Sequence, residues 1–323
     1  MLPPIRLMRW VCAIGTALLS ALRVMAHEGP EHEIEELTEL IAKGETANLF
    51  LQRAIEYRVL GKNIEAAADL EQADRLDPAS LLIQHELGRV YFLLGKTNEA
   101  IDLLSHALKI KTEQPTELAA LRVLRAEFLG ARSENKKALE DCEAAIHAQL
   151  SNVEWYLLRS ALQSRLKQPT ERIAGLEQGI KETGAGILET ELVEAMLDDH
   201  QFQATLPHIE RELHSSRIKS SWLIRRARAR LGLGEKQAAK ADLENALKEI
   251  ATRITSPSTD ANLLTEKAQA HELLGEKMEA RLYYEQARDA GAEDWVKDKI
   301  KALNKALKAD EEGNEKPAEK DKK

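Results

Sequence analysis

Residues 47–77 read ANLFLQRAIEYRVLGKNIEAAADLEQADRLD and are followed by Pro78; from Leu81 the chain reads LLIQHELGRVYFLLGKTNEAIDLLSHALKIK. At an offset of thirty-four residues the two stretches place Tyr57 on Tyr91, Gly61 on Gly95, Ala66 on Ala100, Leu70 on Leu104 and Ala73 on Ala107. The glycine falls mid-way, where a left-handed residue ends a helix without a Cβ clash. The alanines lie where two paired helices must approach to about 8–10 Å. Each stretch is therefore predicted to be two amphipathic helices joined by a tight turn. One hairpin cannot cover its own apolar face, so such units must stack.

Counting Ala47 as the first place of a unit, small residues recur at places eight, twenty and twenty-seven. Together with Leu87-Gly88, Tyr91 and the closing Pro78, this pattern resembles the tetratricopeptide-repeat (TPR) family. The resemblance implies an all-α fold, a TPR-type α-solenoid, in which antiparallel helix pairs form a right-handed superhelix. Continuing the register gives about seven units, at 47–80, 81–114, 119–152, 153–184, 185–218, 220–253 and 261–292. The third begins four residues late, with the extra residues around Pro115. In the fourth, Ser160 and Gly179 are small but Arg172 stands where alanine is expected. The fifth is the most diverged, with His208 and Arg211 at places that want apolar and small residues. The sixth (Ala227, Gly234, Ala239, Ala246) and seventh (Ala268, Gly275, Ala280, Ala287) return to the pattern.

The seventh places of units one, three and six are Arg53, Arg125 and Arg226, and sixteen residues after each comes an Asp: Asp69, Asp141 and Asp242. Unit two has Leu87 with Leu103 instead, and unit four Arg159 with Gly175. An Arg–Asp bridge between the helices of one hairpin is expected, exchanged for an apolar pair in unit two.

The ends depart from the repeat. Residues 1–26 carry Arg6 and Arg9, an apolar run from Val11 to Leu22, and a small residue, Ala26, before a cleavage point; this is the form of a secretory signal. The apolar run is shorter than the roughly 20 residues of a membrane span, so membrane contact is expected only if that segment stays uncleaved. The chain is thus expected to be exported, to a periplasmic or other envelope or extracellular site. Residues 27–46 form an extension with a short helix over Glu31–Lys43. Trp295, Val296, Ile300, Leu303 and Leu307 predict a capping helix within 293–307, and the charged residues 308–323 are expected to be a disordered tail.

The net charge of −8 argues against a nucleic-acid partner, which would call for a basic face. With Cys142 alone remaining after cleavage, no internal disulfide is possible, and Cys142 falls at the place of Leu70, Leu104 and Leu243, a core place. No glycine-rich phosphate loop, nucleophile elbow or zinc-type cysteine pairing is present. The chain is read as no enzyme, and no cofactor is expected. A second reading concerns metal: cleavage after Ala26 would leave His27 at the N-terminus, its amine and imidazole near His32, a nitrogen set suited to Cu(II) or Ni(II) in a metal-handling accessory. His27 and His32 lie five apart and fit no zinc-protease helix.

What the TPR resemblance implies for function is an interaction scaffold, binding a protein or peptide in a concave groove lined by the first helix of each unit. Carried onto this chain, the groove places are Leu51, Ile55, Arg58 and Val59 in unit one and His85, Arg89, Phe92 and Leu93 in unit two. Unit four adds Leu157 and Arg165, and unit six Ile224 and Arg228. Apolar residues interleaved with arginine suit an extended ligand with apolar anchors and some negative charge.

Overall fold

The computed structural model describes residues 29–110, 115–148, 151–254 and 260–314. The predicted export segment, His27 and residues 315–323 lie outside them. Helix α1 (Gly29–Lys43) precedes seven hairpins. These pair α2 (Ala47–Val59) with α3 (Asn63–Leu76), α4 (Leu81–Leu93) with α5 (Thr97–Ala107), and α6 (Pro115–Ala131) with α7 (Asn135–Ala148). Then come α8 (Val153–Arg165) with α9 (Pro169–Thr183), and α10 (Gly186–Asp198) with α11 (Phe202–Ser215). The last two pairs are α12 (Ser220–Gly232) with α13 (Lys236–Arg253) and α14 (Ala261–Leu274) with α15 (Lys277–Asp289), closed by α16 (Trp295–Asn314). Helix α16 runs through residues assigned from sequence to the tail: 308–314 are helical. The described helices divide into two compact units after Leu188.

Each hairpin turns on a residue at place fifteen with positive φ: Gly61, Gly95, Ser133, Lys167, His200, Gly234 and Gly275. Glycine adopts that conformation freely, whereas a side-chain-bearing residue there is strained by about 1–2 kcal/mol. His200 corrects the fifth unit. With the turn at place fifteen, this unit begins at Gly186 and not at residue 185, and its twentieth place is the fully buried Thr205. His208 and Arg211 thereby leave the small and apolar places to which the sequence register had assigned them.

The first helices start firmly where a side chain caps them. Thr46, Ser80 and Asp260 accept from the amides of Leu49, Ile83 and Leu263, and Asn152 accepts from Glu154 and Trp155.

The core runs along the seam between paired helices. Ala54, Ala66 and Ala73 of the first hairpin have no exposed surface, and the same holds for Ala126, Ala138 and Ala145 of the third. In the second hairpin a Cβ on Gly88 would sit 3.0 Å from the Leu104 side chain, which is why glycine stands beside Leu87. In the fourth, Arg172 takes an alanine place yet is buried, its Nε donating to Ser160 Oγ at 3.0 Å.

Arginine joins the helices of three hairpins. Arg53 donates from Nε and Nη2 to both oxygens of Asp69 (2.7 and 2.8 Å), and Arg125 does the same to Asp141 (both 2.7 Å). Arg226 reaches Asp242 at 3.0 and 2.6 Å. In all three the remaining Nη1 reaches back to the preceding helix: to Thr38 on α1, Ser105 on α5 and Glu210 on α11. The pairing was expected from sequence spacing. The backward bond was not.

Candidate functional site

In a helix, places two, five, six, nine, twelve and thirteen share one side. On α2, α4, α6 and α8, which pack in sequence, that side carries most of the residues singled out above. The structure separates them into three groups. Leu51 is buried in the core with Ala54 and Leu87, and so is Ile224 with Leu263 in the later unit; neither lines an open face, contrary to expectation. These two side chains slip into the seam beside the neighbouring helices, whereas Leu157, at the same place five, does not. Ile55 and Leu157 are half-buried at the rim. Val59 and Leu93, both at place thirteen, are open to solvent, 60% and 52% exposed, and Leu82 at place two is 57% exposed.

The charged residues differ in how far they are committed. Arg58 Nε lies 3.1 Å from Glu86 Oε2, and His85 Nδ1 lies 3.2 Å from Glu86 Oε1. Burial pushes the Glu86 carboxyl up, but the His85 bond and the charges of His85, Arg89 and Arg58 outweigh it and hold the group at about 2. Arg165 donates to the carbonyl of Gly130 at 3.1 Å. Arg228 is taken up by Glu194 (2.9 Å) and Asp198 (2.6 Å). The Nε atoms of Arg58 and Arg89 are both buried without a hydrogen-bond partner among the described residues, so the Arg58–Glu86 approach is an ion pair rather than a well-formed hydrogen bond.

Beside Arg89, at place nine of the next first helix, stands Glu127. Burial pushes its carboxyl up to about 7; the charge of Arg89 works against that and the charge of Glu154 adds to it. Phe92 stacks face to face on Phe128, centroids 4.3 Å apart and planes within 6°, fixing the wall between Arg89 and Leu93. Glu127 and Phe128 were not read from the sequence, because the third unit was left out of the groove assignment.

The later unit has a face of its own. Thr190, Ser221, Trp222, Arg225, Asn262, Thr265 and Glu266 surround an open depression of about 380 Å³. Arg225 is held by Glu194 at 2.7 Å and lies 5.0 Å over the Trp222 ring, while Glu266 accepts from Ser220 Oγ at 2.7 Å. Apart from Trp222, at place three, these residues occupy places two, five and six of α10, α12 and α14, and only their common repeat register could have signalled them in advance.

Cys142 is fully buried, and burial pushes its thiol up to about 12, so it stays protonated in the core. His32 sits on α1 with Nε2 3.3 Å from Glu36. Among the described residues no cluster of three or more His, Cys, Asp or Glu is placed to hold a metal ion. No helix among them is long and apolar enough to cross a membrane.

A tetratricopeptide-repeat family model matches residues 60–123, the end of the first hairpin through the start of the third. That segment carries TPR repeats. The crystal structure of a tetratricopeptide repeat protein from Parabacteroides merdae superimposes with a TM-score of 0.56 at 18% identity, covering 84% of this chain and 99% of that one. It shows that the TPR solenoid fold extends well beyond the matched segment. Weaker likenesses are to YrrB, described as a TPR protein with an unusual peptide-binding site (TM-score 0.45, 15% identity, 64% of this chain and 96% of that one), and to MamA from Desulfovibrio magneticus (0.45, 16%, 53% and 95%). Among curated proteins no significant match exists.

Proposed function

We propose that this chain is a non-enzymatic scaffold in the cell envelope that holds a protein or peptide partner against the first helices of its repeats. The observation that carries the reading is the side of α2 and α4 where exposed Val59, Leu82 and Leu93 stand among Arg58, His85 and Arg89. Solvent-facing apolar residues with cations between them cost the free protein solvation and are of use only when covered. The flanking arginines give direction and register to what covers them. Export to the envelope is supported by the charged start, apolar run and small-residue end of residues 1–26.

The test is site-specific photo-crosslinking in intact cells. A crosslinking residue at Leu93 should capture a partner, whereas one at Ile64, more exposed still on α3 but away from the proposed face, should not. Capture from Ile64 and none from Leu93 would move the interface to the second helices. Export is checked separately by fractionation and by sequencing the mature N-terminus; a cytoplasmic chain still beginning at Met1 would refute that part.

A further inference from the structure

The fourth and fifth hairpins depart from the regular repeat at several independent points, and the departures fall on one stretch of chain. We infer that α8–α11 is a soft stretch built into the array, in which each hairpin opens locally while the third and sixth keep their structure.

The first ground is the bond between paired helices. In the third and sixth hairpins a buried carboxylate, Asp141 or Asp242, receives the place-seven arginine of the facing helix. In the fourth, Arg159 finds the Gly175 carbonyl and the Gln178 side chain instead, and both are neutral. A guanidinium removed from water is held best by a carboxylate, and burial pulls that of Arg159 below its ordinary value. In the fifth, counted from Gly186, the two places hold Leu192 and His208, and His208 turns to Glu189.

The second ground is the backbone. Both turns set a side-chain-bearing residue, Lys167 and His200, at positive φ. Both second helices are weakened from within. Gly175 and Gly179 lie inside α9, and Pro207 lies inside α11, where it has no amide to offer the carbonyl of Gln203. Helices α3, α5, α7, α13 and α15 contain neither residue type. The third hairpin shares a turn of this kind, Ser133, but keeps its bridge and an unbroken second helix.

The third ground is polar burial in the fourth hairpin. The Tyr156 hydroxyl and Gln163 Oε1 have no hydrogen-bond partner among the described residues, although the residues are only 1% and 4% exposed. Other atoms in that condition belong to partly exposed residues or to Glu86, which Arg58 faces at 3.1 Å. Opening returns such groups to water, so the closed hairpin gains less from them than an apolar core would.

Hydrogen–deuterium exchange of the full chain, read by mass spectrometry, tests this without any substitution. Amides of α8–α11 should exchange about tenfold faster than those of α6–α7 and α12–α13. Two variants tie the effect to its causes. Gly175→Asp offers Arg159 a carboxylate at the spacing of Arg125 and Asp141, and should slow exchange in α8–α9 about tenfold. Pro207→Ala, at an exposed position, restores the missing helix bond and should slow α10–α11 by a similar factor. Neither should alter α12–α13. Should Gly175→Asp fail to fold, Lys167→Gly probes the same hairpin. Equal exchange in α8–α11 and the regular hairpins, or fast exchange that no variant slows, would overturn the inference. Neither outcome touches the partner-binding reading, which crosslinking at Leu93 tests separately.

Discussion

The sixth and fourth hairpins place an arginine at the same position and surround it in opposite ways. In the sixth, Arg226 grips both oxygens of Asp242, Ala239 fills the alanine place and Gly234 makes the turn. In the fourth, the aspartate is replaced by Gly175, the alanine by Arg172 and the turn glycine by Lys167. The consequences for charge run in opposite directions. The Asp242 hydrogen bond holds the Arg226 guanidinium above its ordinary value, whereas burial pulls that of Arg159 below it. Yet Arg159 is not abandoned: its Nη2 donates to the Gly175 carbonyl at 2.6 Å, Nη1 donates to Gln178 at 3.1 Å, and its guanidinium lies 5.0 Å over the Tyr156 ring. Glycine makes this possible, since a Cβ at position 175 would come within 2.8 Å of Nη2. The repeat therefore keeps its shape and lets the chemistry vary, provided that each change is met by another.

The largest way to break the contrast is Asp242→Ala. Asp242 also accepts from Arg230 at 2.7 Å, so its loss takes the buried acceptor from two guanidinium groups, Arg226 keeping only Glu210, and a cost of about 3 kcal/mol is expected. Urea midpoints and amide exchange across α12 and α13 would register it. Arg226→Ala combined with Asp242→Ala should cost clearly less than the sum of the single changes, and strict additivity would mean that no bridge operates. Next comes Gly175→Ala, which pushes Arg159 off its carbonyl for about 1–3 kcal/mol; an unchanged midpoint would show that the bond carries no stability. Smaller again is Gly234→Ala, with about 1–2 kcal/mol lost at the left-handed turn. Its mirror, Lys167→Gly, should raise stability by about 0.5–1 kcal/mol. If both turn changes moved stability the same way, the two turns would not be equivalent.

Much of this was legible in the sequence, for a physical reason. Helices that pair at close range need small residues at fixed places, and a turn that needs positive φ selects glycine, so Ala66, Ala100, Gly61 and Gly95 announce the period. The fifth unit was misregistered by one residue because His200 performs the glycine's task without a glycine's signature. The Arg–Asp pairs were readable because both partners belong to one hairpin and keep a fixed spacing. Their third bonds were not, since Thr38, Ser105 and Glu210 share neither residue type nor distance from the arginine. Among the face residues, Arg58, Arg89 and Leu93 were reached by register alone. Leu51 and Ile224 pack into the seam while Leu157 at the same place does not, so the neighbouring helices and not the place decide it. Glu127 announces itself only through burial, which no local pattern encodes.

Those third bonds have a mechanical meaning. An arginine that grips its own hairpin with two N–H groups and the preceding helix with the third acts as a rivet through adjacent layers. Under tension along the chain, the first, third and sixth hairpins must break this extra guanidinium contact to leave the preceding helix, beyond ion pairs such as Arg58–Glu86 that join other layers. The array is therefore a chain of unequal links, and pulled from its ends it should lengthen in uneven steps, the latest of them at the riveted joints.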